Sequence, residues 1–308
     1  MILLYHLIFP DSAPQDQWNA GLVLRMRDFR RHIQWLKKHY IIVSLEEYLS
    51  DRKRDGLLSH KKIAITFDDG YRNTFDLISP FLSKEQIPVT FFATTSHLKD
   101  GELLWFVYIN ALCSERCYEK VIIEGQDYHL TTFETSMKAW RKLIALARES
   151  GNAIAFSRTF YQKYPLPEKI ISKYAGLTKN QISSTGKSHY LEVGGHTSSH
   201  PYLDQIPKET QLTEMLENKR VLEEITQKQV RYFAYTGGVY NTDSIDAVKV
   251  AGFEAAFAIT PRHLGVDEPF EMARVDIYSP DLLKLKLKVW GVVEMARWVG
   301  LRRGSIYA

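Results

Sequence analysis

The 308-residue sequence predicts an α/β fold: a parallel sheet with helices on its outside, closing as a barrel. Three observations carry this. Short β-rich apolar runs alternate with helical patterns along most of the chain, as repeated βαβ units do. The length suits one large α/β domain, since α/β barrels commonly reach it, although two smaller domains would also fit. Two polar motifs fall just beyond apolar runs, where the carboxyl ends of parallel strands gather on one face.

The elements follow in order. "ILLYH" reads as the first strand. Around it, "MILLYHLIFPD" has no basic n-region, its apolar run is interrupted by His6, and no small-residue cleavage site follows. A secretory signal is therefore not expected, and a cytoplasmic location is, with peripheral attachment at the inner membrane face as a further expectation. The stretch around Phe29, Ile33 and Leu36 has helical periodicity. "YIIVS" is a strand, and Ser44 and Glu47 form a capping-box signature for the next helix. "KIAITF" is a strand, a helix runs from about Arg72 to Lys84, and "PVTFFAT" is again a strand.

From about 102 to 186 the rhythm breaks into a helix-like "LLWFVYINALCSE", a hairpin at "EKVIIEGQDYHL" and helical stretches including "MKAWRKLIALARES". One domain carrying an insertion or lid is expected. Beyond it "YLEVGGH", "VRYFAYTGG" and "FEAAFAIT" resume the strands, with helices from about Thr210 to Lys228 and Asp243 to Val250. The tail, about 281–303, is basic and apolar together, with Trp290 and Trp298 among Lys284, Lys286, Lys288, Arg297, Arg302 and Arg303. A helix packed on its own domain is expected there, with weak membrane-surface contact as the other reading.

Bulk properties narrow the function. Hydrophobic residues at 45% and charged residues at 25% are those of a soluble globular chain. A net charge of +4 without a concentrated stripe argues against a dedicated nucleic-acid binder. No run approaches the ~18 apolar residues of a membrane span. Cys113 and Cys117 have no second pair to complete a zinc knuckle, so buried thiols are expected.

The chemistry concentrates in two places. Asp68 and Asp69 stand side by side at the end of "KIAITF", where like charges repel unless something compensates, a bound cation being the most effective. His196 and His200 in "HTSSHP" have a spacing that brings both rings to one side of a helical turn or tight loop. Two imidazoles and a carboxylate are a three-ligand zinc set with one position open. A pair of hydrogen-bonded loop histidines is the alternative.

"TFDDG" at Thr66 to Gly70, "HTSSHP" at His196 to Pro201 and "YFAYTGG" at Tyr232 to Gly238 resemble successive motifs of the polysaccharide deacetylases, the NodB-homology or carbohydrate esterase 4 family. The resemblance implies a distorted (β/α)7 barrel with an inserted α/β segment. It implies hydrolysis of the N-acetyl group of an N-acetylhexosamine in a polysaccharide, oligosaccharide or glycolipid precursor, with a divalent metal ion, zinc being the expected one. By motif position Asp68 is the general base, and Asp69, His196 and His200 hold the metal. A backbone N–H from Thr236, Gly237 or Gly238, next to Tyr235, is expected to face the developing oxyanion. Tyr71 and Arg72 are expected to line the substrate cleft.

Two departures from the family pattern matter. No late "LxxH" supplies a general acid, but "LLYHL" at Leu3 to Leu7 resembles the opening strand of a branch with permuted motif order. His6 is therefore the expected acid, a hydrogen-bonded barrel histidine being the other reading. Ala234 stands where many relatives carry the arginine that orients the base, and Thr236 replaces a usual proline. Arg274 in "ARVDIY" is expected to supply that guanidinium with Asp276 as its partner, unless it forms a surface ion pair. Thr236 is expected to loosen its loop. His97 and Trp105 flank the insertion as sugar contacts or as packing, and His263 lies near the active face without a named partner. Two other functions stay open: hydrolysis of a cyclic amide or imide, and a degenerate barrel that binds glycan without turnover.

Overall fold

The structure, a computed structural model, describes residues 1–13, 23–55, 61–259 and 268–291. Its main sheet runs Met272–Ala273, Ala255–Ala258, Tyr232–Ala234, Leu191–Gly195, Val89–Ala93, Lys62–Phe67, Ile2–Tyr5, Val275–Asp276, with Ile41–Ile42 paired to the start of Lys62–Phe67. Every pairing in it is parallel. The two end strands are consecutive in sequence, interrupted only at Arg274. Residues 272–276 thus pair with Ala255–Ala258 on one side and with Ile2–Tyr5 on the other, closing the sheet as a barrel of seven chain segments.

The sequence dictates this through burial on both faces. Lys62–Phe67 is buried from Ile63 onward and Val89–Ala93 throughout, which is why they read as continuous apolar runs rather than alternating ones. Phe67, Phe91, Phe233 and Ala256 join one core with Phe29, Ile33 and Leu36 of the helix Met26–His39, the face its periodicity marks. At the next helix, Leu45–Asp55, Glu47 N–H donates to Ser44 Oγ at 3.1 Å, but the Glu47 carboxylate goes to Lys62, so only half of the expected capping box forms.

Between Val89–Ala93 and Leu191–Gly195 lie the helices Trp105–Ser114, Phe133–Glu149, Ala153–Lys163, Glu168–Tyr174 and Lys179–Lys187, with an antiparallel hairpin of Lys120–Ile123 and Gln126–His129. They build a second core around Tyr108, Ile109, Leu112 and Leu143. Trp105–Ser114 is apolar nearly all round because it is covered all round. Cys113 is buried in this helix and Cys117 lies just beyond it, both free thiols. At the other end of the chain, Leu285 and Val289 anchor the helix Leu282–Val289 to the domain while Leu283 and Trp290 stay exposed. Trp298 and the arginines at 297, 302 and 303 lie outside the described residues. Among the described residues no helix is long and apolar enough to cross a membrane.

Candidate active site

The strand Lys62–Phe67 ends in a reversal. Asp69 and Gly70 have φ of 68° and 67°, the left-handed region that a residue with a Cβ enters at a cost of about 1–2 kcal/mol. Glycine is required at 70, where a Cβ would stand 3.0 Å from Ala93 Cβ. Among the described residues seven non-glycine positions have positive φ, and three of them, Asp69, Thr197 and His200, belong to this site. Strain of this kind persists where the surroundings over-determine it.

The surroundings of the histidine loop do so. His196 follows the strand Leu191–Gly195, and its Nδ1 lies 2.8 Å from Ala234 O, which makes Nδ1 the protonated nitrogen and leaves the Nε2 lone pair free. Its backbone N–H donates to Asn218 Oδ1 at 3.0 Å, while Asn218 Nδ2 donates to Ala93 O at 2.9 Å and Thr95 Oγ1 at 3.3 Å. One buried amide therefore ties two strand ends together. Gly195 admits it, since a Cβ there would meet Asn218 Oδ1 at 2.9 Å. Farther along, His200 N–H donates to Thr197 Oγ1 at 3.0 Å, Ser199 N–H and Oγ donate to the Glu214 carboxylate at 2.8 and 2.7 Å, and Trp105 Nε1 donates to His200 O at 2.7 Å. The spacing thus works through a tight loop rather than a helical turn.

These loops bring His196 Nε2 and His200 Nε2 to 3.4 and 3.5 Å from the same Asp69 Oδ1. Such separations are long for hydrogen bonds. They match ligand atoms sharing a tetrahedral centre, which at bond lengths of about 2.0–2.1 Å stand about 3.4 Å apart. All three residues are buried, and the donor set of two imidazole nitrogens and one carboxylate oxygen fits a divalent cation with a position left open. Burial pushes the Asp69 carboxyl upward, but His196 and His200 outweigh it and hold Asp69 well below the usual carboxylate range. Burial pushes His200 down.

Asp68 takes a different partner. Arg274 Nη1 and Nη2 donate to its two oxygens at 2.6 and 2.6 Å, with both side chains almost wholly buried, and Nη1 reaches Thr66 Oγ1 at 3.3 Å. Burial raises the Asp68 pKa, and the Arg274 guanidinium then His196 more than reverse this, so the carboxyl lies below its ordinary value. The expected pairing of Arg274 with Asp276, or a surface ion pair, is corrected here. Asp276 instead accepts from Lys288 Nζ at 3.0 Å. The break in the closing strand at Arg274 places the guanidinium at the barrel end where Asp68 lies.

A cavity of ≈ 470 Å³ opens above, lined at its floor by His6, Asp68, Asp69, His196 and His200, at one wall by Gly237, and from the insertion by Trp105, Phe106, Asn110 and Trp140. His6 is 7% exposed, and among the described residues its Nδ1 has no hydrogen-bond partner. Burial lowers its pKa against the pull of Asp69 and Asp68. In the third motif Gly238 N–H and Val239 N–H donate to Tyr235 O and Thr236 O at 3.3 and 3.2 Å. Gly237 is the residue of this turn that reaches the cavity.

Other expectations are corrected. Tyr235 is stacked on Tyr240 at 4.3 Å in the barrel core, with its hydroxyl donating to Phe270 O at 2.9 Å, away from the cavity lining. Thr236 does not loosen its loop, because its Oγ1 donates to Pro201 O at 2.7 Å and joins the third motif to the histidine loop. Tyr71 is buried in the insertion's core and bridges Gly176. His97 Nε2 lies 2.8 Å from Leu177 O, a packing role, whereas Trp105 both packs and lines the cavity. His263 lies outside the described residues. The sequence reading missed Asn218, whose signal was an amide on the buried helix face shared with Met215 and Leu222. It also missed Phe106, Asn110 and Trp140, which only the folding of the insertion brings to the site.

Residues 56–256 match the family profile described as polysaccharide deacetylase. The chain is 33% identical over 266 residues to the poly-beta-1,6-N-acetyl-D-glucosamine N-deacetylase of Staphylococcus epidermidis, an alignment covering 86% of this chain and 71% of that protein. It is 20% identical over 263 residues to a Bacillus subtilis protein named for the same family, covering 84% of this chain but only 64% of that protein's length. Among solved structures, the Streptococcus pyogenes deacetylase PplD in complex with acetate superposes with a TM-score of 0.60 at 19% identity, over 92% of this chain and 96% of that one, a likeness of fold.

Proposed function

The chain belongs to the polysaccharide deacetylase family, and from that premise we propose that it hydrolyses the N-acetyl group of an N-acetylhexosamine within a polysaccharide or its glycolipid precursor. The observation that carries the proposal is the division of the two adjacent aspartates. Asp69 is committed to the two histidines, while Asp68, gripped by Arg274, is held ionised at the cavity floor. Asp69, His196 and His200 would hold a divalent ion, which we take to be zinc; when bound, such an ion lowers the pKa of water and polarises a carbonyl.

The chain's own groups then divide the proton work. Arg274 occupies one lone pair on each Asp68 oxygen, which leaves Asp68 able to accept a proton at either oxygen from attacking water. The departing amine needs a proton, because an amide nitrogen leaves poorly as an anion. His6, whose side chain lines the same floor, would deliver it. The Gly237 backbone, which lines the wall, would donate toward the oxygen that becomes negative. Arg274 also weakens the degenerate-barrel alternative, since the guanidinium lost from the third motif returns from the closing strand.

Nuclear magnetic resonance of N-acetylglucosamine oligomers incubated with zinc-supplied protein tests this: acetate should accumulate, and Asp68→Asn should abolish it. No acetate from the wild type would overturn the proposal. We further propose peripheral contact with the cytoplasmic membrane face, supported by exposed Leu283 on a lysine-bearing helix and exposed Trp290 at its end. Failure of the full chain to float with anionic vesicles would reject it.

A further inference from the structure

The helix Trp105–Ser114 is buried along nearly its whole length, yet at its centre it carries the amide of Asn110, 2% exposed. An amide buried among apolar neighbours costs stability unless its polar atoms are used. Among the described residues only one side of this one is used. Trp140 Nε1 donates to Asn110 Oδ1. Indole nitrogen can only donate, so this bond fixes which end of the amide is oxygen. The Nδ2 group is thereby the other end, and among the described residues it has no acceptor, although Asn110 lines the cavity above Asp68 and Asp69.

The distance of this donor from the reaction floor is also set. Trp105 Nε1 pins the start of the helix to His200 O, and the Phe106 ring lies 4.4 Å from the His200 ring. Asn110 follows Phe106 by four residues and so lies one turn farther along the same face, about 5–6 Å away between Cβ atoms. That step is close to the width of one pyranose ring. The walls between are aromatic, from Phe106, Trp105 and Trp140, as suits the apolar faces of a sugar.

We propose that Asn110 is a substrate-binding residue, its Nδ2–H2 donating to a ring hydroxyl oxygen of the N-acetylhexosamine being deacetylated, so that the insertion and not the barrel selects the sugar. Asn110 is locked by Trp140, and the helix that carries it is locked to the histidine loop. The donor is thus preorganised relative to the base. This rests on the proposed function for the identity of the sugar, but its test is separable from turnover.

The test uses the full chain carrying Asp68→Asn, titrated calorimetrically with an N-acetylglucosamine oligomer with and without Asn110→Asp. The aspartate keeps an acceptor for Trp140 and removes the donor. Affinity should fall about tenfold, the effect of losing a buried hydrogen bond to substrate. One of a set of monodeoxy analogues should bind the Asp68→Asn protein equally weakly and lose nothing further on adding Asn110→Asp, as coupled partners do. Equal affinity with and without Asn110→Asp, additive losses with every analogue, or no saturable sugar binding would each overturn the proposal. If Asn110→Asp fails to fold, Asn110→Ser, smaller but still an acceptor, is read in the same titration. Absent acetate release with a retained Asn110 effect on binding would reject the deacetylase function while leaving this inference standing.

Discussion

Arg274→Met is the sharpest perturbation of the site. It removes a guanidinium that donates to both Asp68 oxygens at 2.6 Å, in a pair whose side chains are 0% and 4% exposed. Methionine fills much of the space, so the principal loss is electrostatic: a buried carboxylate left without its partner. Breaking such a pair costs about 3–5 kcal/mol. At about 2–4 °C per kcal/mol this lowers the melting temperature by roughly 6–20 °C, toward the small end for a long chain. The size of this penalty depends on pH. In the wild type the depressed Asp68 pKa contributes stability above the unfolded carboxylate pKa, and this is lost as pH falls through the folded value. In Arg274→Met burial acts unopposed by the guanidinium and raises that pKa, so the variant is penalised at neutral pH and relieved on acidification. Calorimetry of chelated wild type and variant across the acid range should show the gap between their melting temperatures narrowing as pH falls. The acid limb of acetate release should move to higher pH. A melting temperature within about 1 °C of wild type, together with an unmoved acid limb, would refute the argument that this pair holds the base ionised.

Asn218→Leu should cost about 1–3 kcal/mol for each of the His196 N–H and Ala93 carbonyl groups it leaves unpaired, and should weaken zinc binding because His196 loses its backbone anchor; metal titration with intact affinity would contradict this. Thr236→Val should lower stability by about 1 kcal/mol in urea unfolding if the bond to Pro201 O tethers the loop, and unchanged stability would restore the expectation of a loose one. His6→Gln should keep its metal content and lower kcat by about 10²–10⁴-fold, and full-rate deacetylation by that variant would remove His6 as the acid.

What could be read from the sequence and what could not divide along physical lines. Asp68, Asp69, His196 and His200 were legible because each motif directly follows an apolar run, and parallel strands deliver their carboxyl ends to one face whatever the distance between them in the chain. Six of the seven barrel segments were legible by the same alternation; the short closing segment at 272–276 was not. The partner of Arg274 was not: Asp276, two residues on and so on the same face of a regular strand, is the local choice, but a break in the closing strand at Arg274 sends the guanidinium across the barrel to Asp68. Thr236 was misjudged because substituting a proline suggests freedom, whereas the hydroxyl found a carbonyl. Tyr71 directly follows the first motif and Tyr235 lies within the third, yet turn geometry and core packing took their rings elsewhere. Beyond Trp105, the insertion's side of the cavity was not legible, because the helix Trp105–Ser114 carries no motif and its relation to His200 exists only in the folded insertion.

Anomalous diffraction from crystals of the zinc-loaded protein, read with metal analysis of wild type and His200→Ala, tests the central claim most directly. One ion bound by Asp69, His196 and His200, with Asp68 beside it still paired to Arg274, and loss of that ion in the variant, is the result predicted. An ion bound elsewhere, or equal metal content in wild type and His200→Ala, would contradict it.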